Sequence, residues 1–243
     1  MAEVLRVDRG RLVMDRDRVL SADESARFGA LTSRRVAREP VAYILGRRDF
    51  RRLTLAVDAR VLIPRPETEL LVEIGLELAA GARVLDVGTG SGAVALALKA
   101  ERPDLAVRGV DISQEALAVA RDNAARLGLD VAFAASDLLD TGPVDAVLAN
   151  LPYVPIGAPL APEITRYEPP GALFAGADGL DLVRRLVSVL AGPSAEPSVG
   201  LLALEIGPEQ AVEVQRLLWE AGFAEVGIRH DLAGLDRVVV GTA

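Results

Sequence analysis

The chain has 243 residues, 51% hydrophobic and 26% charged, with no cysteine, enough for one large α/β domain plus a small appendage. Without cysteine there is no thiolate metal site, redox pair or disulfide framework, and a net charge of −8 disfavours non-specific nucleic-acid binding. No apolar signal core opens the chain and no uncharged run approaches membrane-spanning length, so a cytoplasmic protein without a membrane partner is expected.

Charge is unevenly spread. Met1 to Arg60 holds 14 arginines against 9 acids, a net +5, and the remainder 13 bases against 26 acids, a net −13. A basic front on an acidic body suggests two surfaces with different partners; plain solvated surface charge explains it equally well.

Ser21-Ala22-Asp23-Glu24 has capping-box spacing and predicts a helix to about Arg38, with Phe28 and Leu31 on one face. Glu39-Pro40 ends it, because the residue before proline is pushed out of the helical region. Leu53, Leu55 and Val57 alternate with polar or small residues, the period of a half-buried strand, and Val61 and Ile63 resume it. A small hairpin pairing these two stretches is expected. Pro64-Arg65-Pro66 reads as a stiff connector, followed by a helix over 69–79.

Beyond Ala82 strands and helices alternate. Strands are predicted over 83–87, 107–111, 131–134, 144–149 and 199–206, with two short ones near Val226 and Val238. Helices are predicted over 92–101, from a Ser113 cap to about Leu127, over 180–190 and over 208–221, and 152–179 is a long connection. Near-continuous apolar strands in such an order mean an α/β fold with a parallel sheet covered on both faces. Ligands then sit beyond the carboxyl ends of the strands, where the strand order reverses.

Candidate residues converge on that edge. Asp86-Val87-Gly88-Thr89-Gly90-Ser91-Gly92 joins the first of these strands to a helix, and glycines allow a sharp turn with close ligand approach. Asp111 ends the next strand, about twenty residues on, where a carboxylate can bind ribose hydroxyls. Gly88-x-Gly90-x-x-Ala93 also meets the dinucleotide fingerprint, so a nicotinamide cofactor fits this segment. The unbroken alternate-glycine loop and the acid at Asp86 suit a cofactor bearing an ammonium and a sulfonium better. Asp137 and Leu138, after the third strand, could border an adenine, although an acid there is commonly a helix cap.

Asn150-Leu151-Pro152-Tyr153 leaves the fourth strand. The Asn150 amide oxygen and the Leu151 carbonyl could accept both N–H bonds of a substrate –NH2, Pro152 would stiffen the turn, and Tyr153 would stack on a planar group. Orientation and electrostatics then carry the chemistry, methyl transfer to a delocalised nitrogen without a metal. An Asx turn leaving a strand is the plainer alternative. His230 reads as a surface residue.

The chain resembles the PrmC/HemK family of protein N5-glutamine methyltransferases. The likeness runs from Glu39-Pro40-Val41-Ala42-Tyr43-Ile44-Leu45-Gly46 and Phe50 through Val61-Leu62-Ile63-Pro64-Arg65-Pro66-Glu67-Thr68-Glu69, the glycine loop, Asp111 and Asn150 to Tyr153, to Arg166-Tyr167-Glu168-Pro169. It implies a class I, Rossmann-like methyltransferase with a seven-stranded, mostly parallel sheet behind a short helical segment and a β-hairpin. The implied cofactor is S-adenosyl-L-methionine, leaving as S-adenosyl-L-homocysteine. Gly88, Thr89, Gly90, Ser91 and Gly92 would hold its methionine end, Asp111 its ribose, Asp137 and Leu138 its adenine, with Asn150 where cofactor meets substrate. The implied substrate is the glutamine of the Gly-Gly-Gln loop of a class I peptide chain release factor; a ribosomal protein or an adenine amino group are alternatives. Residues 1–48 would be a shortened helical docking segment, 49–68 the hairpin and linker, and 69–243 the methyltransferase domain. Leu151 stands where the family motif has a second proline, and Arg65 and Glu67 are expected either to border the cofactor cleft or to form an ion pair within the linker.

Overall fold

The computed structural model describes residues 1–139, 142–191 and 198–243. Three helices open the chain, α1 (Ala2–Leu5), α2 (Arg9–Met14) and α3 (Ala22–Val36). The predicted capping box is present: Ser21 Oγ accepts from Glu24 N at 3.2 Å and the Glu24 carboxylate accepts from Ser21 N at 2.9 Å. Pro40 then starts the short α4 (Val41–Leu45), which Gly46 ends in the left-handed conformation at φ 68°.

The hairpin differs from expectation. Its strands are β1 (Arg47–Phe50) and β2 (Leu53–Ala56), so the alternating stretch pairs backwards and not with Val61 and Ile63. Arg51 makes the turn at φ 51°, a conformation that costs a non-glycine residue about 1–2 kcal/mol. Its guanidinium is held at 2.7 and 2.8 Å by Glu101, and its N–H donates to Glu69 at 3.0 Å. Ile63 has no ladder to join, because its N–H donates to the buried Glu168 carboxylate at 3.1 Å.

The main domain follows with α5 (Glu69–Leu76), β3 (Arg83–Val87), α6 (Ala93–Glu101), β4 (Ala106–Asp111), α7 (Gln114–Leu127), β5 (Ala132–Ala135) and β6 (Ala146–Ala149). The chain continues through α8 (Pro162–Tyr167), α9 (Asp181–Leu190), β7 (Leu201–Glu205), α10 (Ala211–Glu220), β8 (Glu225–His230) and β9 (Asp236–Thr242). The long connection expected over 152–179 thus contains a helix, α8, with proline at its start. β6 is shorter than expected, since Asp145 before it accepts from Arg83 N at 2.8 Å and binds that residue's guanidinium.

Seven strands form one sheet in the order β5-β4-β3-β6-β7-β9-β8, parallel except for β9, which is antiparallel to both neighbours. Alternation sends Val84, Val107 and Leu148 to one face, under α5, α6 and α7, and Leu85, Val110 and Val147 to the other, under α9 and α10. The order reverses between β3 and β6. Register there is tight: Val87 is level with Val110 and Ala149, and Ala149 with Leu204. Gly88, Asp111, Asn150 and Glu205 therefore leave four adjacent strands side by side.

The front module packs on this domain through a small core of Tyr43, Val57, Val61, Ile63, Ala116 and Val119. Tyr43 Oη donates to Val61 O at 2.5 Å. Arg35 and Arg38 of α3 and its end pair with Glu163 of α8 at 3.0 and 3.1 Å, and Tyr167 Oη donates to Ala37 O at 2.8 Å. Among the described residues no helix is long and apolar enough to cross a membrane.

Candidate active site

A cavity of about 440 Å³ opens at the switch point between β3 and β6. Its floor is the glycine loop. Gly88, Gly90 and Gly92 take φ of 72°, 54° and 81°, where a β-carbon is strained. β4 holds the loop: Val110 O accepts from Gly88 N and Thr89 N, both at 2.9 Å, and Asp111 Oδ2 accepts from Gly90 N at 2.9 Å. Asp111 Oδ1 accepts from Ser113 N, also at 2.9 Å. Each Asp111 oxygen keeps acceptor capacity toward the cavity, which the residue lines. Ser113 caps α7 as expected, accepting from Ala116 N at 3.2 Å.

Asp86 lies beneath the loop, 2% exposed, with Oδ2 accepting from Thr89 Oγ1 at 2.6 Å and from Ala95 N at 3.2 Å. Burial pushes its carboxyl up to about 6; the two hydrogen bonds oppose this and the Asp111 charge adds to it.

At the far wall Leu138 is buried and lines the cavity with φ 81°, an unusual conformation for a branched residue. Asp137 also lines it, but one carboxylate oxygen is taken by Arg185 at 2.7 Å. Ile112 is 74% exposed at the rim.

Asn150 lines the cavity at the end of β6, and its Nδ2 donates to Thr68 Oγ1 at 3.0 Å. That bond turns the other half of the amide, Oδ1, away from Thr68 with no protein partner among the described residues. Leu151 is buried among core residues, with Cδ2 3.2 Å from where a β-carbon on Gly88 would stand. Pro152 lines the cavity. Tyr153 does not. Its ring turns behind the asparagine, where Oη donates to Glu205 Oε1 at 3.4 Å, and its carbonyl accepts from Gln210 Nε2 at 2.9 Å. Burial and the Glu205 charge push the Tyr153 phenol up to about 12, so it stays neutral.

Glu205 was not among the residues expected here, because an acid ending an apolar strand carries no motif. It is 1% exposed, and burial pushes its carboxyl up to about 7 against donation from Thr68 and the positive Arg237. Thr68, in the linker signature, is likewise buried; its hydroxyl accepts from Asn150 Nδ2 and it stands near enough to Glu205 to lower that acid's pKa. Arg65 borders the cavity and pairs with Glu168. Glu67 does not line the cavity; it stands near Glu205 and raises its pKa. His230 is exposed, 3.0 Å from Asp236 and outside the cavity.

Comparison with known proteins agrees with this architecture. The profile of the methyltransferase small domain matches residues 66–160, and that of the PrmC N-terminal domain matches residues 1–46. A release factor glutamine methyltransferase of Rhodospirillum rubrum is 42% identical over 98% of this chain and 75% of its own length. Another, from Neisseria gonorrhoeae, is 46% identical over 88% of this chain and 81% of its own. Among solved structures, the hMettl16 catalytic domain bound to a MAT2A 3'UTR hairpin superposes with TM-score 0.66 at 14% identity, over 83% of this chain and 79% of that one, a likeness of fold. Given these identities over most of both chains, the chain belongs to the release factor glutamine methyltransferase family.

Proposed function

We propose that the protein transfers a methyl group from S-adenosyl-L-methionine to the side-chain amide nitrogen of a glutamine in the Gly-Gly-Gln loop of a class I peptide chain release factor. The observation that carries this reading is Asn150: Thr68 holds its Nδ2, so Oδ1 is the atom left to accept from a substrate –NH2. The Leu151 carbonyl supplies a second acceptor. Two acceptors on one –NH2 fix its rotation and draw its lone pair out of conjugation, toward the methyl donor.

The cavity suits that cofactor. Gly88, Thr89, Gly90, Ser91 and Gly92 would hold its methionine end over the buried Asp86, whose carboxylate favours the ammonium. Asp111 offers a free lone pair on each oxygen to ribose hydroxyls, and Leu138 and Ile112 give an apolar berth for adenine. Asp137 keeps one oxygen for the adenine amino group while the other binds Arg185. When bound, the cofactor supplies an electrophilic methyl on sulfur; the chain orients the nitrogen, and the methylated amide loses its proton to solvent. Tyr153 acts in this reading as a support behind Asn150, since its ring is turned to Glu205.

Residues 1–48 form the docking segment, 49–68 the hairpin and linker, and 69–243 the catalytic domain of this proposal. The net charge of −13 beyond Arg60 disfavours a nucleic-acid substrate at the catalytic edge. The test is incubation with radiolabelled S-adenosylmethionine, recombinant release factor, ribosomal proteins and total RNA. Label in the release factor, lost when its Gly-Gly-Gln glutamine is replaced, is expected. Label confined to ribosomal protein or RNA would overturn the substrate.

A further inference from the structure

Glu205 closes β7 one strand away from Asn150, in register with it, and the mechanism above does not use it. The carboxyl is 1% exposed and its Oε2 has no hydrogen-bond partner. A buried acid with an orphaned oxygen is costly, and an apolar side chain would suit the surrounding core better. On one side the Tyr153 hydroxyl donates to Oε1 at 3.4 Å, and Thr68, whose hydroxyl accepts from Asn150 Nδ2 at 3.0 Å, is near enough to lower the Glu205 pKa; the Arg237 charge lies near it as well.

The Thr68 hydroxyl has one proton to give. If that proton goes to Glu205, only a lone pair is left facing Asn150, and the asparagine must present –NH2 to Thr68 and oxygen to the cavity. Freed of Glu205, Thr68 could donate to Asn150 instead, and the amide could turn over. The two orientations are almost the same shape, so packing cannot choose between them. A turned amide would set its own N–H groups against those of the substrate. We propose that Thr68 gives its proton to Glu205, which thereby acts as a positioning residue: it keeps the Asn150 oxygen aimed at the substrate nitrogen and braces Tyr153. This rests on the reading of Asn150 as the substrate acceptor.

The test compares Glu205→Met, Thr68→Val, their double mutant, Thr68→Ser and Asn150→Ala in release-factor methylation. Glu205→Met removes the acceptor at similar length, and replacing a buried acid by an apolar side chain commonly preserves or raises stability. It is expected to keep its melting temperature, its affinity for S-adenosylhomocysteine and its KM for release factor, while kcat falls about tenfold or more, the pattern of a lost transition-state interaction. Thr68→Val should lose the same factor, the double mutant no more than either single, and Thr68→Ser should stay near wild type. A wild-type kcat in Glu205→Met or Thr68→Val, or losses that multiply in the double mutant, would overturn the relay. If those hold their activity while Asn150→Ala is inactive, only the relay falls; an active Asn150→Ala removes the acceptor reading itself.

Discussion

Asp86→Asn should stabilise the protein while harming its function. Asp86 is 2% exposed, and loss of water lifts its carboxyl from 3.8 to about 6. An acid raised in the folded state binds its proton more tightly there than in the unfolded chain, so stability falls as pH climbs between those two values and stays low above them. A shift of about two units corresponds to about 3 kcal/mol lost by pH 7.5 and about 1 kcal/mol by pH 4.5. Asparagine keeps the shape and an acceptor for Thr89 and Ala95 but carries no charge. In urea unfolding without cofactor, Asp86→Asn should therefore exceed wild type by about 3 kcal/mol at pH 7.5 and about 1 kcal/mol at pH 4.5. The same variant should bind S-adenosylhomocysteine about tenfold or more weakly, having lost a charged partner for the ammonium. Equal stability of the two proteins at both pH values, or a less stable variant at pH 7.5, would refute the reasoning.

Other outcomes follow from the same geometry. Asp111→Ala removes the acceptor for Gly90 and Ser113 as well as the ribose partner, and should weaken S-adenosylhomocysteine binding by about 1.5–3 kcal/mol in calorimetric titration. Asn150→Ala should leave that affinity nearly intact and lower methyl transfer by about a hundredfold or more, measured in single turnover. Leu151→Pro keeps the backbone carbonyl and should retain methyl transfer, but it trims a side chain packed under Gly88 and should cost about 1 kcal/mol of stability in urea unfolding. Gly92→Ala would place a β-carbon at φ 81°, 3.0 Å from Leu96 and 3.1 Å from Phe133. Left-handed strain and crowding together should cost about 2–4 kcal/mol, read as a lower urea midpoint.

The sequence by itself determined the order and type of the main-domain elements apart from α8. Their apolar runs and caps are local: Ser113 with Ala116, Ser21 with Glu24, and glycines where φ must be positive. It also brought the glycine loop, Asp111 and Asn150 to the carboxyl edge, because a parallel sheet delivers its strand ends to the same side, but it did not single out Glu205 there. Tertiary structure decided what those residues face. β2 pairs with β1 because Glu101 and Glu69, far along the chain, hold the Arg51 turn, while Glu168 takes the Ile63 amide. Tyr153 turns from the cavity toward Glu205, and Asn150 is aimed by Thr68. These partners stand 52 and 82 residues apart, so no periodicity or short motif records them. Pattern along the chain reports burial of a residue's own face; the direction of a polar side chain depends on which distant donor or acceptor the fold sets beside it.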